Sequence, residues 1–196
     1  PIEDAAHAGM HPIASWMAPI DLADSVTVTR LDDDRLSRYA NGWAPAAPQP
    51  TVEIDWAITD DLAVLAHRAV EDLVGRSLPI QLRREKRIPV GAGLGGGSSD
   101  AAAVLIAVND LFALGLGVSE LRNIAAGLGS DVPFFIADPS STNAARSALV
   151  EGLGDRISPA QDPAAHVVLL LPPFTCPTGP VYHAFDEQFD DLEDPE

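Results

Sequence analysis

The sequence predicts a fold that mixes strands and helices, and three observations carry that expectation. Residues 25–31 (SVTVTRL), 51–57 (TVEIDWA) and 78–84 alternate apolar and polar side chains with period two, as half-buried strands do. Two longer segments, from about residue 60 to Val74 and from Ser98 or Ser99 to about Leu114, repeat their apolar residues at helical spacing. Between the third strand and the second helix lies GAGLGGG at 91–97, too rich in glycine for either element.

Taken in order, the first two strands are separated by DDDRLSRYANGWAPAAPQP, an acidic cluster running into Pro and Ala that reads as an exposed connection. Thr59 or Asp60 is placed to cap the first helix and Gly75 to end it. Its expected apolar stripe is Leu62, Leu65, Ala66, Ala69 and Leu73. The third strand alternates through Leu78, Ile80 and Leu82. The long helix is apolar nearly all round, with Ala101, Val104, Leu105, Val108, Leu111 and Phe112 on one face and Ile106 and Ala107 on another, so burial is expected. Ser119, Glu120 and Leu121 open a further helix that stops at Gly127–Gly129. VVLLL at 167–171 suits a buried strand, and the Asp162-Pro163 turn before it is the expected domain boundary. The acidic end DEQFDDLEDPE reads as a frayed tail.

The 196 residues are 46% hydrophobic, enough for one sizeable core or two small ones. Twelve Lys and Arg against 29 Asp and Glu leave a net charge of −17. A surface that acidic repels nucleic acid and anionic lipid, because phosphate binding needs clustered cations. No apolar run approaches the ~18 residues of a membrane span. Cys176 stands alone, with no base beside it, so it is expected to be inert and to form neither a disulfide nor a zinc site. The expectation is a reducing, cytoplasmic compartment. The chain starts at Pro1 with no signal segment, and both ends are read as cut.

IPVGAGLGGGSSDAAA carries the strongest chemical signal. Five glycines in seven positions remove Cβ atoms that would keep a backbone from wrapping an anion, and they permit positive φ. The helix behind them adds free N–H groups and the positive end of its dipole, and Ser98 and Ser99 add hydroxyls. The expectation is a phosphate cradle. The plainer alternative, a tight strand-to-helix turn, rarely asks for so many glycines. A Walker loop is excluded because Gly97 is followed by Ser98 rather than Lys. Gly91, Gly93 and Gly96 satisfy G-x-G-x-x-G, but Asp110 and Glu120 fall in or at the start of helices, where no ribose-binding acid belongs. A G-x-S-x-G elbow is absent. His7 and His11 are four apart, yet Gly9 and Pro12 argue against a helix there, so no metal site is expected.

From Pro89 to Ala102 the pattern P-x-x-x-G-L-G-G-G-S-S-D-A-A resembles the ATP-binding signature of the GHMP kinases, a family of small-molecule kinases. AGMHPIASWMAPIDLADSVTV, DLAVLAHRA, GLGSDVPFF and PTGPVYHAFD resemble further segments of that family in the same order. The resemblance covers nearly the whole chain. It implies the two-domain α+β GHMP kinase fold, incomplete at both ends: an ATP-binding domain over 1–161 without its first strand, and the start of a C-terminal domain over 162–196.

The resemblance also implies roles. Pro89, Val90, Gly91, Ala92, Gly93, Leu94, Gly95, Gly96, Gly97, Ser98 and Ser99 would hold the triphosphate of ATP, with Mg²⁺ bridging its phosphates. Lys86, Asp61 and Leu62 would lie near adenine. Asp131, in a G-x-D-x-P-F-F pattern, would be the catalytic acceptor of the hydroxyl proton. Position alone makes Asp131 one of twenty aspartates, in a turn where Pro133 biases its neighbour toward extended backbone. His11, Met10, Thr178 and Tyr182 would contact a cytosine-bearing substrate. Without the resemblance, His11 reads as a loop histidine, Tyr182 as half-buried, Lys86 as a solvated strand end and Asp61 as a helix cap.

Departures from the family pattern are equally plain. Its lysine beside the catalytic aspartate lies upstream of D-G-Y-H, and no lysine precedes His11 here. Ala8 and Met10 replace the Asp and Tyr of that motif, and Asp61 replaces the Asn before Leu. These departures imply a fragment or a decayed paralogue, and a chain without kinase activity on its own. The implied function is ATP-dependent phosphorylation of the 2-hydroxyl of a cytidine-diphosphate-linked methylerythritol, in the non-mevalonate route to isoprenoids. A kinase of the homoserine or mevalonate type is one alternative, against which the triple glycine and His11 count. A non-catalytic nucleotide-binding remnant, favoured by the missing lysine, is the other.

Overall fold

Residues 13–45, 47, 56–136, 146–170 and five positions from 181 to 188 are described by the computed structural model. Among them are two three-stranded sheets and three α-helices. β1 (Ile13–Met17) pairs antiparallel with β5 (Ala148–Gly152), and β5 with β6 (Arg156–Pro159). β2 (Ser25–Arg30) and β3 (Arg38–Trp43) flank β4 (Ile80–Lys86), β2 antiparallel and β3 parallel to it. The parallel pair needs a crossover, and α1 (Leu62–Val74) lies within it. α2 (Gly96–Leu111) and α3 (Val118–Ala126) follow. The larger core lies between α1, α2 and β4. A smaller one gathers Phe134, Ala148 and Val150, and Phe135 packs against both. Among the described residues no helix is long and apolar enough to cross a membrane.

The mixed α and β character is as the sequence predicts, with several corrections. The supposed connection after β2 contains β3, because RYANGW has no strand signature of its own and pairs only where β4 supplies the ladder. Of the expected strand at 51–57, residues 51–55 lie outside the described residues. Trp56 and Ala57 lead instead into a 3-10 turn, Ile58–Asp60. That turn moves the helix cap from Thr59 or Asp60 to Asp61, whose Oδ1 accepts the Ala63 N–H at 3.0 Å. Gly75 ends α1 in the left-handed region, φ 66°, as expected.

The expected stripe of α1 is rotated. Ala63, Val64, Ala66, His67 and Val70 are buried, and Leu73 is 56% exposed. Small side chains win because α2 offers Ala101, Ala102, Val104 and Leu105, a surface suited to close approach. His67 is tolerated there because both ring nitrogens find partners, Tyr39 Oη at 3.0 Å and Leu78 O at 2.8 Å.

β4 extends past the expected 78–84 to Lys86, and Leu78, Ile80 and Leu82 are all buried. α2 begins at Gly96, ahead of Ser98, and ends at Leu111 rather than Leu114. VVLLL is not a buried strand over its described part. Residues 167–170 have no regular structure, and Val168 and Leu170 stand in solvent. An apolar run becomes a strand only when a sheet edge receives it, and neither described sheet does. The acidic tail, except Glu187 and Gln188, lies outside the described residues.

Candidate functional site

The inner face of β4 reads Ile80, Leu82, Arg84, Lys86: the period-two pattern turns from apolar to cationic as the strand nears the glycine loop. Both cations are buried, so both need anions. The Arg84 guanidinium bonds the carboxylate of Asp61 and reaches Asp100 Oδ2 at 3.1 Å. Lys86 Nζ bonds the carboxylate of Asp24 and reaches Asp100 Oδ2 at 2.9 Å. Asp24 precedes β2, Asp61 caps α1, and Asp100 lies in the second turn of α2. The chain Asp24–Lys86–Asp100–Arg84–Asp61 thus ties the start of β2, the cap of α1, β4 and α2 together behind the loop.

In the loop itself, Gly91, Gly93 and Gly95 have φ near 70° (71°, 69° and 66°), and Gly95 is the N-cap of α2. The Ser99 N–H donates to Gly95 O at 2.8 Å, leaving the N–H groups of Gly96, Gly97 and Ser98 without acceptors in the helix. Residues 89–98 line a cavity of about 470 Å³, together with Trp56, Asp60, Asp61, Leu62, Arg84 and Lys86. A Cβ on Gly91 or Gly93 would meet nothing within 4 Å. On Gly96 it would lie 2.9 Å from Ile88 Cγ2, and on Gly95 3.0 Å from Phe135 Cζ. At Gly95 and Gly96 the missing side chains therefore also make room for the protein itself.

The cavity gathers residues 89–98 with Lys86, Asp61 and Leu62, all singled out in the sequence. Ser99 is not on its wall; its hydroxyl donates to Gly96 O at 3.0 Å. Lys86 is no solvated strand end, since burial between two carboxylates occupies its ammonium. Asp131 is half-buried and is not among the residues that line the cavity, with αR backbone at φ −87°, ψ −17°. The expected extended conformation before Pro133 is not found. Val132 and Pro133 open a 3-10 helix, where a missing proline N–H costs nothing. The segment is held from two sides: Phe135 packs on Gly95, and Gly154 lies so close to Ser130 O that a Cβ there would overlap it. His11, Met10, Thr178, Tyr182, His7 and Cys176 lie outside the described residues.

Arg84, Asp24 and Asp100 were missed as site residues. The signal was present: two cations continuing a buried period-two face demand buried anions, and Asp100 is the one acid in the first three turns of α2. Burial pushes the Asp100 carboxyl up to about 6; the charges of Lys86 and Arg84 oppose that rise and Asp24 adds to it. Burial also acts to raise Asp61, but donors from Trp56, Arg84 and the Ala63 N–H outweigh it and hold that carboxyl below its usual value. Among the described residues no group of three or more His, Cys, Asp or Glu could hold a metal ion.

The Asp100 shift has a testable consequence. Its folded pKa lies above the unfolded 3.8, so the folded state holds the proton more tightly. The resulting contribution to stability is full below pH 3.8 and is lost as pH rises through about 6. In urea titrations at pH 4, 5, 6 and 7, the wild type should lose on the order of 3 kcal/mol relative to Asp100→Asn. A gap that does not move with pH would show an ordinary carboxyl.

Residues 61–138 match the family model described as GHMP kinases N terminal domain. A 4-diphosphocytidyl-2-C-methyl-D-erythritol kinase of Polaromonas sp. (strain JS666 / ATCC BAA-500) is 37% identical over 182 residues, covering 90% of this chain and 54% of its own. One from Heliobacterium modesticaldum is 39% identical over 176 residues, covering 90% and 51%. The chain spans about half the length of these curated relatives. A crystal structure of 4-(cytidine 5'-diphospho)-2C-methyl-D-erythritol kinase aligns with TM-score 0.61 and 31% identity, covering 89% of this chain and 55% of that one. A D-glycero-D-manno-heptose 1-phosphate kinase from Bacteriodes thetaiotaomicron, at TM-score 0.52 and 16% identity over 80% and 53%, shares the fold.

Proposed function

We propose that this chain, a partial GHMP kinase fold similar to 4-diphosphocytidyl-2-C-methyl-D-erythritol kinases, binds ATP at residues 89–98 and serves transfer of its terminal phosphoryl group to the 2-hydroxyl of 4-diphosphocytidyl-2-C-methyl-D-erythritol. The observation that carries the reading is the cavity. Its wall is a loop of left-handed glycines running into a helix whose first N–H groups have no acceptor within the helix. That donor set fits a polyphosphate. The N–H groups of Gly96, Gly97 and Ser98 would orient phosphate oxygens, with the Ser98 hydroxyl beside them. Trp56, Asp61 and Leu62 would wall the base. Magnesium would arrive on the phosphates and neutralise their charge.

Asp131 would take or orient the proton of the acceptor hydroxyl, and its clamped turn supports that role, because a positioned base must not wander. His11, Met10, Thr178 and Tyr182 would contact the cytidine end. The same reading divides the chain into an ATP-binding domain over 1–161 and the start of a second domain at 162. Asp162 Oδ1 still accepts the Ser147 N–H at 2.8 Å, so the chain stays fastened to the start of β5 up to that point. The compartment is proposed to be cytoplasmic.

Calorimetric titration with ATP–Mg²⁺ tests the first step; no saturable binding to the folded chain overturns it. In a protein completed to the length of its relatives, a panel of cytidyl, homoserine and mevalonate acceptors tests the second. There Asp131→Asn should leave ATP affinity within a few-fold and lower kcat by roughly 10²–10⁴. A loss under tenfold would leave Asp131 a turn residue only.

A further inference from the structure

We propose that Asp24 is a positioning residue for the phosphate loop, acting from outside the cavity through the backbone of residues 87–88 and through Lys86. The inference rests on the reading of residues 89–98 as the triphosphate site.

The argument starts where the sheet stops. The β2–β4 ladder ends at the Ser25–Glu85 pair and the β3–β4 ladder at Trp43–Lys86, so no strand holds the chain over Arg87 and Ile88. Asp24 takes over: its Oδ1 accepts the N–H of Arg87 and, at 2.9 Å, that of Ile88. Its other oxygen bonds Lys86 Nζ, which continues to Asp100 in α2. The Asp24 side chain is 1% exposed and does not line the cavity. One buried carboxylate therefore clasps the two residues that lead into Pro89.

The clasp reaches the far end of the loop as well. Ile88 packs so closely on Gly96 that a single added methyl would overlap it. Fixing Ile88 therefore fixes the first turn of α2, whose N–H groups are the proposed phosphate donors. Asp24 thus sets both the entry and the exit of the loop before any ligand arrives. Preorganisation of this kind raises affinity by removing the ordering cost from the binding step.

The test compares Asp24→Ala with Asp24→Asn in the full chain, by ATP–Mg²⁺ calorimetry and peptide-level hydrogen exchange. Asp24→Ala removes every contact. Its ATP Kd should rise about tenfold or more, and amides over 87–98 should exchange faster while those over 101–111 stay protected. Asp24→Asn keeps an oxygen for the two N–H groups but turns an amide donor toward Lys86 Nζ, losing that ion pair and hydrogen bond, so it should bind ATP at least about threefold more tightly than Asp24→Ala. If Asp24→Ala does not fold, Asp24→Ser replaces it, since a hydroxyl cannot span both amides and Lys86. A wild type that binds ATP beside an Asp24→Ala variant that binds it equally well overturns this inference alone. So does an Asp24→Asn variant as weak as Asp24→Ala. A folded wild type that binds no ATP overturns the nucleotide reading, and the inference with it.

Discussion

Gly96→Val should lose ATP binding and about 3 kcal/mol of stability, the upper end for overpacking a close-packed site. The new Cβ would lie 2.9 Å from Ile88 Cγ2, 3.1 Å from Ile88 Cβ and 3.4 Å from Lys86 Nζ. Ile88 cannot retreat without pulling on the 87–88 backbone that Asp24 holds. Gly97→Ala is the informative contrast. Its Cβ would meet only Leu62 Cδ1, at 3.5 Å, an ordinary contact. Exchanging helical Gly for Ala adds roughly 0.5–1 kcal/mol of stability. It also places a methyl where a phosphate is proposed to approach the chain. Urea unfolding should therefore show an unchanged or higher midpoint for Gly97→Ala, while calorimetry shows at least a tenfold weaker ATP Kd. Unchanged affinity in that variant would put the phosphates elsewhere.

Lys86→Met should be the most destabilising single change in the site. Lys86 is 3% exposed and is shared by Asp24 and Asp100. Methionine fills its volume but leaves two buried carboxylates facing each other across the site of the lost charge. Removing one partner of a buried ion pair costs about 3–5 kcal/mol, because the remaining charge is stranded. Adding Asp100→Asn to Lys86→Met takes away one stranded charge. The double variant should then be less destabilised than the sum of the singles, by about 1 kcal/mol or more in urea titrations. Strict additivity would show that the Lys86–Asp100 contact of 2.9 Å carries no coupling.

How much of this was legible in the sequence depends on the range over which each cause acts. The glycine loop, Gly75 as a left-handed stop, β2, and the burial of Leu78, Ile80 and Leu82 all follow from patterns a few residues long. Backbone angle and period are local properties, and they survive translation into the fold. β1, β3, β5 and β6 were not legible. RYANGW and ALVEG become strands because a distant partner supplies their hydrogen bonds, β1 pairing with β5 across more than a hundred intervening residues. The apolar run at 167–170 fails for the reverse reason, having the composition of a strand without a sheet to join among the described residues.

The sequence by itself determined the α+β character, the glycine loop with its helix, and the resemblance that directs attention to Asp131. The tertiary structure alone decided which charges are buried together. Asp24, Asp61, Arg84, Lys86 and Asp100 are spread over more than seventy residues, and no local rule pairs them. They meet because β4 turns a period-two face inward, and the low dielectric there admits a cation only where an anion already stands.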